Sequence, residues 1–191
     1  MHNAKHMKHA ISAWLCVLAL NVASAGQVST GARNSPSPKL ELSLRTDRTS
    51  YSMTDKMHIE VQLTNIGNTD VYVWSWIFCW GQGPSLSIRA LNNAGQWVQP
   101  ASGFLLDCVP PPPKANDPTQ FIKIEPGRFY GLAEDFPLKD LMDGPGQRTL
   151  IVKLGGTLSR DFITGLGYPD LPYWTSEDRP LTARVRLTVT H

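Results

Sequence analysis

The sequence predicts an all-β protein, a single antiparallel β-sandwich. Three observations predict it. Apolar residues recur with a period of two in one short segment after another. Clusters of turn-forming residues separate those segments. No long stretch carries the apolar spacing of an amphipathic helix.

The first strand is expected at Lys39–Arg45, where Leu40, Leu42 and Leu44 alternate with Glu41, Ser43 and Arg45. The next is IEVQLT, with Ile59, Val61 and Leu63 on one face and Glu60, Gln62 and Thr64 on the other. The intervening TDRTSYSMTDK is rich in turn formers and reads as a loop. NIGNTD, with Gly67 and Asn68, is the turn into a third strand, VYVWSWIF. SLSIRAL and WVQP flank NNAG, a hairpin turn. FIKIEP and GRFYGLAEDF flank Pro126-Gly127. TLIVKL alternates Leu150, Val152 and Leu154 with polar partners. ARVRLTVT alternates Val185, Leu187 and Val189 with Arg184, Arg186 and Thr188. The total is about eight or nine strands. PLKDLMD and SRDFITGL each have the composition of a short helical turn.

VYVWSWIFCW, residues 71–80, raises a separate question. In a strand, Tyr72, Trp74, Trp76 and Phe78 share one face, and Val71, Val73, Ser75, Ile77 and Cys79 share the other. The second set is the natural core face. The four aromatics are then covered by a long loop, or form the core themselves, or lie exposed as a ligand platform. An exposed strip of that size is unusual on a monomer, so burial is the expected outcome. Two long loops could supply the cover. CVPPPPKANDPTQ contains Pro110, Pro111, Pro112 and Pro113 followed by Lys114, a polyproline II segment. GLGYPDLPYWTSEDRP, residues 165–180, contains Tyr168, Tyr173 and Trp174. Loops of this length are often functional.

The beginning of the chain has the grammar of export. Lys5 and Lys8 precede the apolar run Ala10–Leu20, and Ala23 and Ala25 occupy small-residue positions before Gly26. Residues 1–25 therefore read as a signal peptide, too short in its apolar run to anchor stably in a bilayer. Leu15 before Cys16 argues against a lipoprotein site. Residues 26–38, GQVSTGARNSPSP, read as a flexible leader, and residues 39–190 as the folded domain. The whole chain has 18 Lys+Arg and 16 Asp+Glu. Loss of Lys5 and Lys8 brings the two into balance, so net charge makes no case for nucleic acid or an anionic membrane. Cys79 and Cys108 survive cleavage, an even count in an exported chain, and a disulfide between them is expected. It would contribute about 3–4 kcal/mol through lost chain entropy. His58 and His191 are the only histidines left and there is no CxxC, so a zinc site lacks ligands.

LELSLRTDRTSYSMTDKMHIEVQLTNIGNTDVYV has an alternating strand, a polar turn with Tyr, a second strand ending in Thr-Asn, a Gly-containing turn and a third strand. EPGRFYGLAEDFPLKDLMDGPGQRTLIVKL adds two Pro-Gly turns that lead into strands. Together with the final WTSEDRPLTARVRLTV, these resemble bacterial immunoglobulin-like domains, of the intracellular proteinase inhibitor (BsuPI-like) type and of the N-terminal sandwich of deuterolysin-like peptidases. The resemblance spans most of residues 39–190 and implies an immunoglobulin-like sandwich. It brings no inhibitory residues and no peptidase activity. The cysteine pair, the tetraproline and the Tyr/Trp loop depart from the inhibitor pattern.

Catalytic grammar is sparse. HExxH, GxSxG, GxGxxG and the phosphate-cradling GxxxxGK[ST] are absent. Glu134, Asp135 and Asp140 could supply a carboxylate pair but read as a solvated turn. Asp170, Glu177 and Asp178 lack the spacing of a calcium loop. No catalytic residue, metal or cofactor is expected. The leading expectation is a non-enzymatic module, periplasmic or secreted, that binds an envelope protein. Its contacts would come from Trp80, Pro110–Pro113, Lys114, Tyr168, Tyr173 and Trp174 on long loops. A proteinase inhibitor is one alternative. A glycan-binding module built on Trp74, Trp76, Trp80 and Trp174 is another.

Overall fold

A computed structural model of the chain describes residues 38–79, 86–98, 110–156 and 158–191. The expected signal peptide and all of the expected leader except Pro38 lie outside the described residues, as do Trp80 and Cys108.

Ten strands form among the described residues, and the fold is an all-β sandwich. The first sheet has the order β1-β3-β8, from Leu40–Thr46, Lys56–Asn65 and Phe129–Pro137. Its register sets Leu42 opposite Leu63 and Val61 opposite Leu132. In β3 every second residue from Met57 to Asn65 is buried, the period-two pattern of a strand with one wet face.

The second sheet has the order β2-β10-β9-β5-β6. Its strands are Ser50–Ser52, Leu181–Thr190, Gly146–Leu154, Leu86–Leu91 and Trp97–Val98. Leu150, Val152, Leu154, Leu187 and Val189 turn inward to join Leu42, Leu44, Ile59, Val61 and Leu63 in one core. Each aliphatic side chain so buried contributes about 1.5–3 kcal/mol. Asn92 shapes the β5–β6 hairpin: its Oδ1 accepts from Ala94 N at 3.0 Å and Gln96 N at 2.9 Å, and Gly95 takes φ 75°.

Two local expectations are corrected. The segment TDRTSYSMTDK is more than a loop, because it contains β2. That strand pairs with β10 in parallel, Thr188 opposite Ser50, so the sandwich is not purely antiparallel. Tyr51 holds it in place. Its ring is 2% exposed, its hydroxyl donates to Asp47 Oδ1 at 2.6 Å, and Arg48 N donates to it at 3.2 Å. The Tyr51 bond also holds the Asp47 carboxyl below its ordinary pKa. The ten strands among the described residues are close to the expected number. The second correction concerns VYVWSWIF. Its strand, β4, spans only Val71–Trp74. Ile77 N bonds Trp74 O at 3.0 Å and Cys79 N bonds Trp76 O at 2.9 Å, which curls residues 75–78. The curl lets two consecutive residues, Ile77 and Phe78, both reach the core. A continuing strand would have sent one of them outward.

A third, two-stranded sheet joins β4 to β7 (Phe121–Ile124), with Val71 opposite Ile124 and Trp74 opposite Phe121. Asn65 ties it to the first sheet. Its side chain is fully buried, and Nδ2 donates to Thr69 O and to Ile124 O, each at 2.8 Å. Its Oδ1 accepts from Gly67 N at 2.9 Å. A buried amide with these partners is satisfied on both its donor and acceptor sides.

Candidate functional site

β4 has two covered faces. Val71 and Val73 point into the main core, and Trp74 belongs to a second cluster with Phe121, Ile163, Leu166 and Tyr173. The cover comes from the 165–180 segment. Tyr72 N donates to Pro172 O and Trp174 N donates to Tyr72 O, each at 3.0 Å, so residues 172–174 lie beside β4 like a short parallel strand. Being extended, this strap alternates: Tyr173 enters the second cluster and Trp174 enters the main core. Phe121 meets Tyr168 and Tyr173 edge-on, at centroid distances of 5.3 and 5.4 Å.

A single helical turn anchors the strap. α1, Arg160–Gly165, begins at Ser159, whose Oγ accepts from Phe162 N at 3.2 Å. Its buried residue is Ile163, and Leu166 follows on the same side. The Arg160 guanidinium then donates to Leu171 O at 2.7 Å and to Tyr173 O at 2.8 Å, holding strap to helix. The nearby carboxylates serve the backbone. Glu177 Oε1 accepts from Arg160 N at 3.3 Å, and Asp178 Oδ2 accepts from Thr175 N at 2.6 Å. Gly156 runs beneath this turn, where a Cβ would collide with the Thr175 carbonyl.

The proline-rich segment is fastened to the same region. Lys114 N donates to Gln120 Oε1 at 2.8 Å, and Gln120 Nε2 donates back to Lys114 O at 2.5 Å. Asn116 N donates to Leu166 O at 3.0 Å. Asn116 has φ 55°, and its side chain fills the space where a Cβ on Gly167 would sit. Asp117 caps the following turn, Pro118–Gln120, and its bond from Thr119 lowers the carboxyl's pKa.

These contacts sort the expected binding residues. Pro111, Pro112 and Lys114 are exposed, and Pro110 and Pro113 are half-buried. Tyr168 is half-buried, with its hydroxyl shielded and unpartnered. Tyr173 and Trp174 are corrected: at 1% and 2% exposure they are core residues, because the strap turns them inward from both sides. Trp74, at 6% exposure, cannot stack on a sugar either, whereas Trp76 is 41% exposed on the curl. Cys79 is half-buried at the end of that curl. Sequence reasoning missed Arg160, Asn116 and Gln120. Only the Ser159 cap before RDFITGL was readable locally.

The carboxylates considered for catalysis do not form a pair of free acids. Asp135 Oδ1 bonds His58 Nδ1 at 2.7 Å across the β3–β8 pairing. This bond, helped by the charges of Asp135 and Glu60, raises the His58 pKa. Among the described residues, no three His, Cys, Asp or Glu side chains are placed to hold a metal ion.

No protein family profile matches the chain, and no curated protein matches it. Among solved structures, it is similar to the CARDB domain of the PF1109 protein from Pyrococcus furiosus in complex with di-metal ions. That likeness has 11% identity and a TM-score of 0.37 over 80% of this chain and 93% of that one. It is also similar to part of the β-glucosidase EmGH1 from Erythrobacter marinus, at 10% identity and a TM-score of 0.38, and to part of a β-glucosidase from Listeria innocua, at 12% and 0.34. The chain spans 16% of the length of each glucosidase. At these values the likenesses carry no conclusion about family or activity. The described residues form an all-β sandwich in which the conspicuous aromatics serve chiefly as core.

Proposed function

We propose that the chain is an exported, non-enzymatic protein-binding module of the bacterial cell envelope, with the 110–116 segment as its contact surface. One observation carries this reading. Pro111, Pro112 and Lys114 are exposed on a segment whose base is fixed by the reciprocal Lys114–Gln120 bonds and by Asn116 to Leu166. Proline already limits the backbone, so a partner loses little entropy in ordering it. A Cys79–Cys108 disulfide belongs to the same proposal. Supporting it is the even cysteine count after cleavage.

The test uses residues 26–191 immobilised and exposed to envelope extract, beside a Pro111→Gly/Pro112→Gly variant and a reduced, alkylated sample. The reading expects one protein retained near stoichiometry by the oxidised wild type and depleted on both controls. If the retained protein is a protease that loses activity on binding, the module is an inhibitor, as the BsuPI-like resemblance would have it. Equal retention by wild type and glycine variant would remove the proline segment from the contact.

A further inference from the structure

The outer face of the five-stranded sheet carries a charge pattern that neither the core nor the loop reading uses. Strand register brings Arg184 and Arg186 of β10, Lys153 of β9 and Arg89 of β5 to the same side. Arg184 and Arg89 both lie opposite Ile151, and Thr182 and Ser87 both lie opposite Lys153. All four cations are exposed. The five strands contain no Asp or Glu, and among the described residues none of these four cations is in an ion pair. With acids and bases balanced in the mature chain, this face is a local excess of positive charge.

The face is also grooved. A depression of about 550 Å³ runs across β9, between the β5–β6 turn (Asn92, Asn93) and Arg184 and Arg186, with Gln147 and Thr149 in its lining. The β5 and β10 walls are two strand spacings apart, about 10 Å. Leu91 pairs with Trp97, which is 57% exposed, and the Arg89 guanidinium lies 5.1 Å from the Trp97 ring centroid. That cation–π contact holds a flat aromatic surface next to the guanidinium group. Arg148, opposite the core residue Leu187, is turned to the other side of β9, where Gly144 O at 3.0 Å, Pro145 O at 2.9 Å and Asp143 Oδ1 at 3.4 Å hold it.

We propose that this groove and the Arg89–Trp97 pair beside it bind an anionic polysaccharide, with Arg184 and Arg186 in the groove and Arg89 next to it engaging its acid groups and Trp97 stacking on a sugar ring. Amide and hydroxyl side chains between guanidinium groups suit a ligand bearing hydroxyls and acids together. β9 is bonded on both sides, to β10 and β5, so its backbone has nothing to offer a peptide strand. The apolar lining is too small for a protein hot spot, and a single tryptophan is a poor platform for successive bases. The site goes beyond the loop-borne binding proposed above and shares none of its residues.

The experiment titrates residues 26–191 with polygalacturonate, its neutral methyl ester, heparin, an oligothymidylate and phosphatidylglycerol vesicles. Calorimetry and tryptophan emission are read at low and high salt. Polygalacturonate or heparin should bind, the methyl ester should not, and affinity should fall steeply with salt. Which of the two binds tighter assigns the acid group as carboxylate or sulfate. Arg184→Gln/Arg186→Gln and Trp97→Ala should each weaken binding by about tenfold or more. Arg45→Gln, on the other sheet, should leave it unchanged, and circular dichroism confirms that every variant is folded. Absence of binding to both acidic glycans overturns the proposal, as does equal weakening by Arg45→Gln. Tighter binding of the oligonucleotide or the vesicles overturns it in favour of that ligand.

Discussion

Replacing Asn65 by alanine tests whether one buried amide couples the small β4–β7 sheet to the rest of the sandwich. Asn65 is fully buried and makes three side-chain hydrogen bonds, to Thr69 O, Ile124 O and Gly67 N. Each is worth about 0.5–1.5 kcal/mol net, and a group left buried without a partner costs about 1–3 kcal/mol. The Ile124 carbonyl lies in the buried part of the network, whereas the turn groups can rehydrate. The expected loss is therefore about 2–4 kcal/mol. For a domain of this size that lowers Tm by about 5–12 °C. Thermal unfolding by circular dichroism, paired with urea titration, measures both quantities. Asn65→Asp is the sharper variant, because it retains an acceptor for Gly67 N but sets a carboxylate oxygen against two carbonyls. It should lose more than alanine at neutral pH. An alanine variant within about 2 °C of wild type, or an aspartate variant milder than alanine, would refute the coupling.

Other variants probe separate parts of the fold. Tyr168→Phe removes a shielded hydroxyl that has no partner, and should leave stability unchanged or raise it by up to about 1 kcal/mol in urea titration. Gly156→Ala places a Cβ on the Thr175 carbonyl. It should cost about 1–3 kcal/mol or more, with the Thr175–Asp178 turn showing the largest amide shifts by NMR. The His58 pKa is raised by its bond to Asp135. The stability this pair adds is thus complete below the ordinary histidine pKa and lost as pH rises through the raised folded value. In an NMR titration, Asp135→Asn should return the His58 midpoint toward its ordinary value, and an unchanged midpoint would mean that the bond is not the cause.

Much of the sandwich was readable because its strands alternate cleanly. Leu40, Leu42 and Leu44, then Ile59, Val61 and Leu63, face the core as their period requires. The NNAG turn and the short helix near SRDFITGL are equally local signals. What stayed hidden depends on partners far along the chain. Nothing near Tyr51 announces pairing with Val189, and nothing near Trp74 announces Tyr173. Tyr173 and Trp174 looked like contact residues because a proline-bearing loop is usually a surface feature. Here the loop is pulled in by backbone bonds to Tyr72. Arg184 and Arg186 were legible as a wet face of one strand. That Arg89 and Lys153 share that face follows only from register.

The parallel pairing of β2 with β10 bears on the order in which the molecule folds. Ser50–Ser52 and Thr188–Thr190 are separated by almost the whole domain, about 140 residues. Closing so long a loop costs about 4 kcal/mol in chain entropy, more than a three-residue ladder readily returns by itself. β2 should therefore dock only after β9 and β10 have already aligned, when that search has been shortened by other contacts. Until then β10 presents one bare edge, and the Tyr51 ring has no core to enter. Folding of the whole domain is expected on the millisecond-to-second scale of sheets with distant partners, with β2 among the last elements to join.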